Sequence, residues 1–247
     1  MKKYILTILL VLIASVCSAG SITDAHKSVI ARMNVAESGG TVAYSEYTTD
    51  YSGTAYLYVP EPTSLTAGDM MIVGVTIDSG ATITASPTGY TQIDTEYIGS
   101  TLRSYTYYKE ATADDVSTWA SYDSWQISAG AGWVIHLVVL SKTSGSWEVP
   151  TGASLHSINS ATATSVTSDS VTCDAGATLL IFGGNDGGDE TISTAPTSMT
   201  ITEIHKGGSV SQVAYYQDSM SSGAVTKTID WGTSDELTIG AVCVQLQ

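Results

Sequence analysis

The sequence predicts an all-β protein, an antiparallel β-sandwich of jelly-roll-like type built from two similar halves, with a short N-terminal helix. Three observations lead there. Ala67 to Gly74 (AGDMMIVG) sets a polar turn before an unbroken apolar run, as a strand buried on both faces requires. The same device returns as Ala175 to Phe182 (AGATLLIF). The composition, with 14 Tyr against 1 Phe and abundant Thr, Val, Ser and Gly, suits a pleated, half-buried surface. At 247 residues the chain is long enough to bury a sizeable core.

In chain order, residues 1–19 read as a signal peptide. Met1-Lys2-Lys3 gives the basic start, and Tyr4 to Val16 is an apolar core too short to span a bilayer comfortably. Cys17 and Ala19 then place small residues where cleavage before Gly20 needs them. Lipidation at Cys17 is the alternative, and Val16 fits it poorly. The expected location is secreted or cell-surface (periplasmic or extracellular), with no membrane span after cleavage. Residues 20–40 form a predicted helical segment: Ile22, Val29, Ile30 and Met33 fall at helical spacing, Ser21 or Thr23 is the candidate N-cap, and Gly39-Gly40 ends it.

From Thr41 the chain reads as strands. The first half, 41–142, holds Val42 to Thr48 and then Thr54 to Val59, stopped by Pro60-Glu61-Pro62. AGDMMIVGVTI follows, with an Asp78-Ser79-Gly80 turn and a bend at Pro87 and Gly89. Leu102 to Glu110 has a Tyr-rich face, and Ser124 to Ser128 and Trp133 to Leu140 complete the half. Residues 143–164 read as a Gly/Ser/Thr-rich connection, and 165–247 as the second half.

The halves can be superposed by sequence. Ala67 and Ala175, Asp78 and Asp186, and Tyr107 and Tyr215 are each 108 residues apart. Small shifts then align Pro87 with Pro196, Trp125 with Trp231, and WVIHLVVL with TIGAVCVQ. On this alignment Cys173 and Cys243 match Leu65 and Val138. As the two cysteines left after signal cleavage, they form either a disulfide or a pair of small buried hydrophobes. Two such halves facing each other cover faces that neither covers alone.

AGDMMIVG, Pro87-Thr88-Gly89-Tyr90-Thr91, Tyr107-Tyr108-Lys109, Trp133 to Leu140 and AGATLLIF together resemble a duplicated β-sandwich pattern. That pattern belongs to poorly characterised secreted bacterial proteins and phage tail-associated proteins. The resemblance spans about Thr54 to Gln247, implies a sandwich scaffold, and brings no catalytic residues.

Chemistry is sparse. A net charge of −15 repels phosphate backbones and argues against nucleic acid as a partner. G-x-S-x-G, H-E-x-x-H and C-x-x-C motifs are missing, and His136 sits within a predicted strand. Asn185, Asp186, Asp189 and Glu190 supply oxygen ligands on a Gly-flexed loop that could hold calcium, while Asn-Asp-Gly-Gly suits a solvated strand-end turn well and the loop departs from EF-hand spacing. Trp119, Tyr122, Asp123 and Trp125 combine aromatic faces with a carboxylate, as a sugar-binding face would. The matching of Trp125 with Trp231 points to a core role instead. The functional expectation is an exported, non-enzymatic protein binding a glycan or a cell-surface or particle protein, in adhesion or as an oligomer. The alternatives are a structural subunit of an appendage or phage-like particle, and a polysaccharide-active enzyme with dispersed carboxylates.

Overall fold

The computed structural model describes residues 40–50, 55–98, 101–117, 124–149, 154–188, 190–205 and 208–247. The predicted signal peptide and N-terminal helix lie outside them. No helix among the described residues is long and apolar enough to cross a membrane. The fold is all-β, with every strand pair antiparallel.

The first half contains β1 (Thr41–Asp50), β2 (Tyr56–Tyr58), β3 (Met70–Asp78), β4 (Ile83–Ala85), β5 (Thr91–Ile98), β6 (Leu102–Glu110), β7 (Ser124–Ile127) and β8 (Trp133–Ser141). A short helix, α1 (Ala113–Ser117), falls between β6 and β7. Thr112 and Asp115 cap it reciprocally: Asp115 accepts the Thr112 N–H at 2.7 Å and the Thr112 hydroxyl accepts the Asp115 N–H at 3.3 Å. The strands form a five-stranded sheet, β1-β8-β3-β6-β5, and a three-stranded one, β2-β7-β4.

Next come β9 (Trp147–Glu148), β10 (Ser154–Thr167), β11 (Val171–Cys173), β12 (Thr178–Asn185), β13 (Ile192–Thr194), β14 (Thr200–His205), β15 (Ser211–Gln217), β16 (Gly223–Val225) and β17 (Thr228–Leu246). Their large sheet runs β10-β17-β12-β15-β14, the order of the first half repeated, with β13 and β9 also on β17. Even the irregularities recur. A register shift between Gln92 and Asp94 on β5 has its counterpart between Ile201 and Glu203 on β14.

Register corrects the sequence alignment in three places. Val73 pairs with Leu137, and its equivalent Ile181 pairs with Ala241, so Leu137 corresponds to Ala241. Cys243 therefore corresponds to Val139 rather than Val138. A slip of one residue would have turned it to the opposite face. Likewise Ile83 pairs with Ile127 while Ile192 pairs with Trp231. Trp231 stands where Ile127 does, and Trp125 where Ile229 does, two residues apart on one face. Finally, Leu137 pairs with Glu46 while Ala241 pairs with Leu155, and Trp125 pairs with Leu57. Ile229 pairs with Val166, so β10 is the counterpart of β1 and β2 joined end to end. Most of the predicted connection is thus strand, with residues 154–164 in β10.

Burial explains why β3 and β12 are continuous apolar runs. Met71, Val73, Val75 and Ile77 pack with Leu57, Trp125 and Ile127 of the small sheet. Met70 and Ile72 point the other way, into a cluster with Leu180, Phe182, Val242 and Val244 of the second half. Leu179 and Ile181 belong to a third cluster with Ile229 and Trp231. Each buried Leu, Ile, Val or Met contributes about 1.5–3 kcal/mol.

Where the large sheets meet, equivalent positions face each other. The Phe182 ring occupies the space of a side chain at Gly74, where an added Cβ would lie 2.3 Å from it. Thr76 abuts Gly184, its own equivalent, where a Cβ would lie 2.9 Å from the Thr76 Oγ1. Asp78 hydrogen-bonds Asp186. The contact is isologous, as between the subunits of a two-fold dimer. A buried polar strip crosses it: Gln212 Nε2 donates to Thr76 Oγ1 at 2.8 Å, and its Oε1 lies 3.0 Å from His136 Nδ1. Burial pushes the His136 pKa down to about 3, and nearby His205 adds to this against the Gln212 hydrogen bond. His136 is therefore a neutral core residue.

Candidate functional site

The small sheet of the first half presents the most distinctive surface. On β2 the side chains alternate: Tyr56 is 46% and Tyr58 41% exposed, while Leu57 between them is fully buried. Tyr56 pairs with Gln126 and Tyr58 with Ser124 on β7. Exposed Gln126 therefore shares the outer face with the two tyrosines. Thr84 on β4 donates its hydroxyl to the Gln126 carbonyl at 3.2 Å, which joins the neighbouring strand to this platform. Two aromatic faces, an amide and a hydroxyl thus stand together on a rigid sheet.

Trp125 is not part of that surface. It is fully buried, with ring centroids 4.3 Å from Tyr107 and 5.1 Å from Tyr90. The expectation that it touches a ligand is corrected by strand alternation, since Trp125 pairs with Leu57 on the inner face. Trp119, Tyr122 and Asp123 lie outside the described residues; in sequence they lead directly into Ser124, the partner of Tyr58. The signal for Tyr56 and Tyr58 was present in the alternation of TAYLYV, which puts both tyrosines on one side. In the second half their equivalents are Ser165 and Thr167, so the aromatic pair belongs to the first half alone.

The loop proposed for calcium behaves differently. Asn185 is fully buried and its Oδ1 accepts the Gly187 N–H at 2.6 Å. Glu190 accepts the Thr233 hydroxyl, and Glu236 accepts the Thr101 hydroxyl. Asp186 meets Asp78, with Asp235 and Glu236 nearby. Burial, followed by repulsion from these three carboxylates and the hydrogen bond with Asp78, pushes the Asp186 carboxyl up to about 7. No group of three or more His, Cys, Asp or Glu among the described residues is placed to hold a metal ion, and Asp189 lies outside them. Asp186 therefore holds its proton to a higher pH than an ordinary carboxyl. The participation of Asp78 had a visible trace: Asp78-Ser79-Gly80 and Asp186-Gly187-Gly188 align in the repeat.

The cysteine alternatives resolve in favour of a disulfide. Cys173 on β11 is bonded to Cys243 on β17, with Cα atoms 5.6 Å apart and a sequence separation of 70. Both are buried in the core of the second half.

These features define an all-β protein of antiparallel sheets, internally duplicated, with an aromatic surface on one half and a carboxyl pair at the seam. No protein-family model and no curated protein matches the chain.

Proposed function

We propose that this chain is an exported β-sandwich protein that works by binding, with a glycan as ligand and the Tyr56–Tyr58 platform as the contact surface. The observation that carries this reading is the exposed tyrosine pair flanked by Gln126, held on a sheet whose opposite face is core. Tyr rings offer apolar faces for sugar C–H groups and phenol oxygens for hydrogen bonds, at little conformational cost. In this reading each half is a small sandwich of its own, with a large sheet over a small one, and the halves pack through their large sheets in a jelly-roll-like arrangement. The signal-like N-terminus supports secretion or display at the cell surface.

A glycan array on the full chain tests it, with Tyr56→Ala and Tyr58→Ala as probes. Binding that either variant weakens about tenfold, with unchanged thermal unfolding, supports the platform. Silence across a broad array, together with filaments or particles seen by electron microscopy, favours the structural-subunit reading.

An enzyme acting on polysaccharide is the second reading, favoured by the raised Asp186 carboxyl beside Asp78. Glycoside hydrolysis sets its two carboxyl groups about 5–9.5 Å apart to admit the sugar or a water. Asp78 and Asp186 hydrogen-bond each other, which closes that gap. Release of reducing ends from a polysaccharide panel, abolished in Asp186→Asn, would reverse this preference.

A further inference from the structure

The second half carries a cleft of about 300 Å³ beside β13 and the start of β17, the low end of small-molecule sites. Its lining includes Thr194, Thr197, Thr226, Lys227, Thr228 and Asp230. The groups are set for hydrogen bonding in complementary ways. Lys227 is held in place: its Nζ donates to the Thr197 carbonyl and to Gln217 Oε1, each at 2.7 Å, and its N–H is accepted by Ser168 Oγ at 3.0 Å. An ammonium has three N–H donors, so one remains. Desolvation lowers the Lys227 pKa, consistent with its seat in the wall of the cleft.

The acceptor side is open. Lys227 spends its bonds on Thr197 and Gln217, and the Asp230 carboxylate has no hydrogen-bond partner among the described residues. The Thr194, Thr197 and Thr226 hydroxyls are likewise unpartnered there, and all three residues are exposed. Thr228 is anchored to Thr167 through their hydroxyls, 2.7 Å apart. A fixed donor, a free carboxylate and three hydroxyls facing one cleft match a ligand that presents neighbouring hydroxyls, each donating and accepting. The −15 field of the chain opposes an anion, and the Lys227 ammonium in the same lining offsets the Asp230 carboxylate for a cation, so the cleft suits an uncharged ligand. Asp230 pairs with Thr194 as Gln126 pairs with Ala85, so the cleft occupies the place in the second half that Gln126 marks in the first.

We propose that this cleft binds a neutral sugar unit, giving the second half a saccharide site separate from the tyrosine platform. The chemistry is non-covalent: Asp230 accepts from vicinal hydroxyls and Lys227 donates to a hydroxyl or ring oxygen. It extends the glycan-binding reading but stands on other residues, so each can fail without the other.

The test is amide NMR on the full chain, titrated with methyl glycosides of glucose, galactose, mannose and N-acetylglucosamine. At least one should shift the amides of Thr194, Ala195, Thr197 and residues 226–230 in a saturable way. Asp230→Ala and, separately, Thr194→Val should weaken that binding at least tenfold, while Tyr56→Ala leaves it unchanged. No saturable shift at these residues with any of the four sugars would overturn the proposal. So would shifts that survive both cleft substitutions, or shifts that sodium acetate reproduces at equal concentration. Shifts confined to residues around 56–58 would support the platform and reject the cleft.

Discussion

Replacing Asp186 with Asn separates the carboxyl pair at the seam from everything else that titrates. In the native chain Asp186 takes up its proton near pH 7 rather than 3.8, with burial as the main cause and Asp78, Asp235 and Glu236 adding to it. Below about 3.8 the group is protonated in both folded and unfolded states, and its contribution to stability is complete. Between there and about 7 the unfolded chain ionises while the folded one keeps its proton, so stability falls as pH rises. Above about 7 the loss is complete. A perturbation of this size corresponds to about 4 kcal/mol if all of it is counted. Asp186 is only half-buried, so screening by water reduces this to about 1–2 kcal/mol. His136 works in the opposite direction: neutral when folded, it withdraws stability as pH falls below about 6.5. The difference between wild type and Asp186→Asn cancels that term. In urea titrations followed by Trp fluorescence, the variant should be about 1–2 kcal/mol more stable at about pH 8.5 and indistinguishable at about pH 3, below the unfolded carboxyl's pKa. Parallel stability curves for the two proteins, or a variant weaker at alkaline pH, would refute the raised Asp186 carboxyl.

Three further substitutions probe the packing. Gly74→Ala drives a methyl group into the Phe182 ring and should cost about 1–3 kcal/mol; combining it with Phe182→Leu should recover part of the loss in a double-mutant cycle by urea unfolding. Ser198 adopts φ 64°, where its repeat counterpart Gly89 has φ 91°. Ser198→Gly should therefore raise the unfolding free energy by up to about 1 kcal/mol, read as a higher urea midpoint at an unchanged m-value. Replacing both Cys173 and Cys243 with Ser should cost about 2–5 kcal/mol, read as a lower melting temperature that reductant no longer affects.

The duplicated all-β plan was legible because AGDMMIVG and AGATLLIF are long, apolar and launched by the same turn. A strand buried on both faces leaves that mark with no knowledge of its partners. Register was harder. Trp125 and Trp231 invite alignment because both are Trp, yet the sheet needs only a large apolar group at either position and places an Ile at the equivalent of each. The strand β10 stayed hidden because SLHSINSATATSVT has the small polar composition of a connection. What makes it a strand is a long β17 beside it, a non-local fact. The Tyr56–Tyr58 surface was half-visible, since alternation fixes a side but not whether that side meets solvent. The Asp186 pair was divided across 108 residues, and only the meeting of the sheets brings it together.

A symmetric homodimer must place each side chain twice about its axis. At the position of Gly74 and Phe182 it would have either two rings competing for one space or two glycines around a void. At Thr76 and Gly184 it would face the same dilemma. Tethering both copies in one polypeptide removes that constraint, because a bulge on one side can be answered by a hollow on the other. Asp78 and Asp186 mark the one of these three places where both copies kept the same residue. There two carboxyls meet as they would across the axis of a dimer, and burial together with the neighbouring charges pushes the Asp186 carboxyl up.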